Sequence, residues 1–132
     1  MQAQITGPFT VKITPQPQAP GEGPVPGRML LDKIFEGPLT ATSQGQMLAW
    51  REPGGSGGYV AMELVTGTLE ERKGSFVLQH SGSMTRGAPQ LTLTVVPDSG
   101  SGELLGLAGS MAINIVDGKH QYDFSYTLPD LA

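Results

Sequence analysis

The sequence predicts an all-β fold, an eight-stranded antiparallel up-and-down barrel, and three observations lead there. Apolar and polar residues alternate with period two in run after run, the pattern of strands with one buried face. The 19 glycines and 11 prolines cluster between those runs, where they break strands and form tight turns. No stretch holds a helical period for longer than about one turn. Strands that follow one another through short loops pair as neighbours, and closing such a meander removes its exposed edges. Eight strands make a barrel just wide enough to pack solid or to hold one small ligand. A two-sheet sandwich is the alternative, but the long Greek-key crossovers it needs are missing.

Each element can be justified in order. Ile5, Phe9, Val11 and Ile13 share one face of the first strand, with Thr6, Thr10 and Lys12 on the other. "PQPQAPGEGPVPG" (15–27) holds five prolines and three glycines and is a loop, able to lie across one end of the fold as a lid. Its Pro17–Pro20 spacing matches P-x-x-P formally, and a surface loop is the simpler reading. "RMLLDKIFE" (28–36) alternates imperfectly and could fit a short helix, but Phe, Ile and the closing Gly37-Pro38 favour a strand. "PLTATSQGQMLAWRE" (38–52) is the next strand, kinked or bulged near Gly45. After the loop "PGGSGG", "YVAMELVTGTL" (59–69) returns, and "EERKG" turns into "SFVLQHSGSM" (75–84). "TRGAP" leads to "QLTLTVV" (90–96). "SMAINIV" (110–116) reaches Asp117-Gly118, the strongest hairpin signal in the chain, before "KHQYDFSYTL" (119–128).

At 132 residues the expectation is a single domain over 1–132, with 38% hydrophobic and 15% charged residues as in globular proteins. A net charge of −4 and eight scattered Lys and Arg residues argue against a nucleic-acid or anionic-membrane partner. The absence of cysteine removes thiol nucleophiles, disulfides and thiolate metal sites. No run approaches the ~18 apolar residues of a spanning helix. The start lacks the cationic and apolar regions of a signal peptide, so a cytoplasmic location is expected.

"DSGSGELLGLAGS" follows a strand, as phosphate-binding loops do. Gly100, Gly102 and Gly106 read G-x-G-x-x-x-G, one residue too long for the dinucleotide fingerprint, and no Lys-Ser or Lys-Thr pair completes a P-loop. The segment reads instead as a corner, with one helical turn near Glu103–Leu105 and Leu104, Leu105 and Leu107 capping a barrel end. "GTLEERKGSFVLQHSGSM" and "LTVVPDSGSGELLGLAGSM" together resemble a family of small bacterial proteins of unknown function whose fold is similar to the allene oxide cyclase barrel. The resemblance spans roughly residues 4 to 127. The glycine block is also similar to the G-T-G-x-F-x-G-x-x-G segment of allene oxide cyclases and dirigent proteins, with Leu104 in place of Phe and Ser101 in place of Thr. It implies the barrel, and no assigned activity.

Candidate site residues follow from face parity. His80 shares a face with Phe76, Leu78 and Met84, and His120 with Tyr122, Phe124 and Tyr126. An inward imidazole either bonds a carbonyl or carboxylate structurally, or serves proton transfer or ligand binding. Glu63 shares a face with Tyr59, Ala61 and Val65; inward, it needs an Arg, Tyr or His partner and could form an acid/base couple with His80. The competing parity, with Val60, Met62 and Leu64 packing the core and Glu63 outside, gives the cleaner apolar set. Trp50, Tyr59, Gln79 and Tyr122 are further candidates for lining a pocket. Ser56 sits in a formal G-x-S-x-G, but a flexible loop supplies neither the strain nor the oxyanion hole of a nucleophile elbow. Two histidines forty residues apart give no metal-ligand spacing, so neither metal nor cofactor is expected.

Three functions are compatible with these residues. The first is a barrel binding a small hydrophobic ligand in a largely apolar lumen. The second is a cofactor-free cyclase or isomerase using Glu63 and His80, since allene oxide cyclases act mainly by shaping a substrate inside the barrel. The third is a homo-oligomeric assembly module, a dimer first, packed through "MAINIV", which is apolar on both faces except at Asn114.

Overall fold

The structure, a computed structural model, describes residues 1–18, 21 and 25–129. Its strands are β1 (Gln2–Pro15), β2 (Gly27–Phe35), β3 (Leu39–Glu52), β4 (Ser56–Leu69), β5 (Arg72–Thr85), β6 (Ala88–Val95), β7 (Ser101–Gly102), β8 (Ala108–Val116) and β9 (Lys119–Thr127). All pairings are antiparallel, and the β4–β5 pairing closes the sheet order β4-β3-β2-β1-β9-β8-β6-β5 into an eight-stranded barrel. The two-residue β7 pairs with the start of β5, at Gly74 and Ser75, where β6 no longer reaches. Strand β1 gives its first half to β9 and its second half to β2, the stagger that a closed, tilted barrel requires.

The strand run 28–36 is a strand, and β3 pairs on both sides through Gly45 without an extra residue, so the expected bulge is absent. Gly45 has a different purpose. A Cβ there would stand 2.2 Å from the Met62 carbonyl oxygen and 2.7 Å from Glu63 Cα, so only glycine lets β4 come this close. Three turns are tighter than expected, since Pro53–Gly55, Glu70–Glu71 and Arg86–Gly87 suffice, and Asp117–Gly118 is the two-residue turn its sequence indicates. Ser56 is already in β4, its Oγ accepting a hydrogen bond from the Arg86 amide at 2.9 Å, which ties two hairpins together.

The two barrel ends differ. One is packed by Phe35, Leu39, Leu69, Phe76, Phe124 and Tyr126, all buried. The glycine segment seals it: Leu104 and Leu107 are buried, while consecutive turns replace the expected helical turn. Leu105 does not cap the interior; it is 72% exposed, because a turn can bury only the side chains on its inner side. At the opposite end, the inward-facing positions Ile13, Met84, Leu91 and Ile115 are exposed and form an apolar rim. The 16–26 connection leaves from this end, but the lid and the P-x-x-P at Pro17–Pro20 lie partly outside the described residues.

One seam is loose. Between β6 and β8 the only paired residues are Thr94 and Ser110, and a cavity of about 290 Å³ opens there between Leu91–Thr94 and Ser110–Ala112. In "MAINIV", Met111 is buried inward and Ile115 stands at the rim, leaving Ala112, Asn114 and Val116 outward.

Candidate functional site

A polar group is buried inside the barrel, midway along its wall. Lys33 on β2, Ser43 on β3, Glu63 on β4 and His80 on β5 point inward and are 6%, 3%, 1% and 4% exposed. They are the only buried polar or charged residues among those described. Glu63 is the hub: its Oε2 lies 2.8 Å from both Lys33 Nζ and His80 Nε2, and its Oε1 accepts from Ser43 Oγ at 3.1 Å. The Lys33 ammonium also sits over the rings of Phe9 and Phe35, at 5.4 and 6.0 Å from their centroids.

Glu63 faces inward, against the parity that looked cleaner from 59–65 alone. Taken over all of β4, the choice reverses. Turning Val60, Met62 and Leu64 inward would expel Val65 and Leu69 and bury Thr66 and Thr68 instead. One residue's register moves a whole strand, so the charge is buried and compensated. Burial by itself would raise the Glu63 carboxyl, but the hydrogen bond from His80 and the charge of Lys33 outweigh it and hold the group below its ordinary value.

This fixes the chemistry of His80. An ionised carboxylate can only accept, so Nε2 carries the proton toward Glu63. In the neutral ring, Nδ1 then keeps its lone pair, and no group among the described residues bonds to it. Tyr59 stands on the mouth side, half-buried, with its ring centroid 6.3 Å from that of His80. Burial first, then the negative charge of Glu63, raise its phenol above the ordinary value.

Other candidates fall elsewhere. Tyr122 is inward and fully buried, but its hydroxyl is engaged at the sealed end, donating to the Glu36 carbonyl at 2.6 Å and accepting from the Leu39 amide at 3.0 Å. His120 is half-buried near the rim, its ring 5.3 Å from that of Phe9. Trp50 and Gln79 do not line the lumen. Both are exposed on the outer face, because even-numbered residues of β3 and odd-numbered residues of β5 point away from the barrel interior. Gln79 borders a shallow outer groove of about 730 Å³ that also touches Gln46, Leu48, Val60 and Met62.

Lys33 and Ser43 escaped the sequence reading, although a signal for Lys33 existed. It lies at the same parity as Leu31 and Phe35, so an inward cation was available to an inward carboxylate. Ser43 carried none, since a serine fits either face.

The family model described as a protein of unknown function, DUF3224, matches residues 5–126. The chain belongs to that family. A crystal structure of a DUF3224 protein of unknown function from Shewanella oneidensis MR-1 is 52% identical, covers 99% of this chain and 100% of its own, and superimposes with a TM-score of 0.89. No curated protein matches. DUF3224 membership and the 52% identity place the barrel within the family without assigning it a reaction. No helix among the described residues is long and apolar enough to cross a membrane. Nor do those residues include a group of three or more His, Cys, Asp or Glu side chains able to hold a metal ion.

Proposed function

We propose that this DUF3224 protein binds a small amphipathic molecule in the open half of its barrel, apolar body against the rim and polar head toward the floor. The observation that carries the reading is the Lys33–Ser43–Glu63–His80 group, buried in an otherwise apolar interior beneath a rim of exposed Ile13, Met84, Leu91 and Ile115. Binding sites combine an apolar lining with a few fixed polar groups in this way. The resemblance of the glycine block to allene oxide cyclases suits the same use. A thermal-shift screen tests it. Compounds with one hydrogen-bonding head on an apolar body should raise the melting temperature, by about 2.7 kcal/mol of stability at a hundredfold excess over Kd. Leu91→Glu at the rim should abolish the shift. If no amphipathic compound moves the transition, the reading fails.

One observation favours a second reading, a cofactor-free isomerase. The Glu63–His80 contact orients an imidazole whose Nδ1 is engaged by none of the described residues, the arrangement of a general base. His80 would take a proton from one atom of the substrate and return it to another. His80→Gln should then abolish turnover of a bound compound while leaving its binding within a fewfold.

A further inference from the structure

The outer face of β2, β3, β4 and β5 carries an apolar surface that the lumen does not explain. Leu30, Leu48, Val60, Met62 and Leu64 are each between 38% and 54% exposed, and Ile34 and Trp50 extend the patch. Seven large side chains of this kind exceed the scattered apolar exposure of a monomer and approach the ~800 Å² per partner of a standard interface.

Strand register orders this face into rows. The middle row runs Leu30, Gln46, Met62, Gln79. On its mouth side lies the row Arg28, Leu48, Val60, Ser81. On the sealed side lies Asp32, Gln44, Leu64, Val77. Arg28 and Asp32 thus flank Leu30 symmetrically on one strand, carry opposite charges, and make no ion pair among the described residues.

That pattern complements itself. We propose that the face is the two-fold interface of a homodimer, with the axis lying along the middle row. Such an axis exchanges the outer rows, so that each residue i meets j while j meets i. Arg28 then faces Asp32 of the other copy, twice over. Val60 faces Leu64, Leu48 faces the stem of Gln44, and Met62 meets Met62. Gln46 meets its own counterpart, which an amide permits because it donates and accepts together. A rotation of about 30° between packed sheets moves the outer rows by only a few ångströms, within reach of an arginine. A partner of different sequence would not require opposite charges placed evenly about one leucine. The interface therefore lies away from the Ala112, Asn114 and Val116 side of "MAINIV".

Sedimentation equilibrium over a protein concentration series tests the proposal, with far-UV circular dichroism as the check on folding. Wild type should be a dimer, and Met62→Lys should be a monomer with unchanged dichroism. Arg28→Asp and Asp32→Arg should each weaken the dimer at least tenfold by opposing like charges. The double variant Arg28→Asp/Asp32→Arg should recover it, because the swap restores both cross-pairs. A monomeric wild type overturns the proposal, as does a dimer unaffected by Met62→Lys or a double variant no tighter than the single ones. Val116→Asp should leave the dimer intact; monomers there would move the interface to β8.

Discussion

Glu63 is the residue on which the interior turns. Its carboxylate is shared by an ammonium, an imidazole and a hydroxyl, all buried. Removing one partner of a buried ion pair leaves the other charge uncompensated, which costs about 3–5 kcal/mol. Glu63→Gln should therefore lower stability by that amount in urea unfolding. Adding Lys33→Met removes the stranded charge, and the double variant should be more stable than Glu63→Gln alone. A second expectation concerns acid. Because the folded carboxyl lies below its ordinary value of 4.5, the unfolded chain takes up this proton first as pH falls. The stabilisation is complete above the unfolded value and is lost as pH falls through the folded one. Urea midpoints measured across that range should drop for wild type more steeply than for Glu63→Gln.

Among the elements, the β4–β5 turn carries strain that sequence alone conceals. Glu70 and Glu71 both have positive φ, 45° and 72°, in a two-residue turn where Asn-Gly is usual. Such a conformation costs a non-glycine residue roughly 1–2 kcal/mol. Glu70 has a compensating contact, since its carboxylate accepts a hydrogen bond from the Tyr126 hydroxyl. Burial, then this bond and the charge of Glu70, push that phenol up to about 12. Among the described residues no such contact holds Glu71. Glu71→Gly should therefore raise stability by about 0.5–1 kcal/mol after the entropy that glycine loses on folding, read as a higher urea midpoint with an unchanged slope. Strand existence, turn positions and the sealing role of Leu104 and Leu107 were legible from period-two runs and glycine clusters. The parity of β4 was not, because Val60, Met62 and Leu64 imitate a core face over a short window. Nor could periodicity tell a turn from one turn of helix at Leu105.

For the whole molecule, closure joins the first strand to the last. The Met1 amino group donates to the Leu128 carbonyl at 2.8 Å, and Leu128 donates back to Met1 at 2.9 Å. The two ends of the barrel's chain path are neighbours, as circular permutation requires. A permutant with a short glycine-serine linker joining these ends and new termini between Asp117 and Gly118 should fold to the same barrel. Its far-UV dichroism should match wild type, with a melting temperature within several degrees. Loss of the fold would show that the β8–β9 turn itself is required. The looseness of the β6–β8 seam belongs to this scale too, since one paired position closes an otherwise continuous sheet that runs from β8 through β9, β1, β2, β3, β4 and β5 to β6.

By itself the sequence determined that the chain alternates, where it turns, and that eight antiparallel strands could close upon themselves. Those properties are local, written in neighbours two and four residues apart. Only the tertiary structure decided which face of β4 is inside and that Lys33, thirty residues away, meets Glu63. It also decided that Trp50 and Gln79 look outward. Register across strands fixes these outcomes, and register is a property of the closed sheet, in which one strand's parity is set by all the others at once.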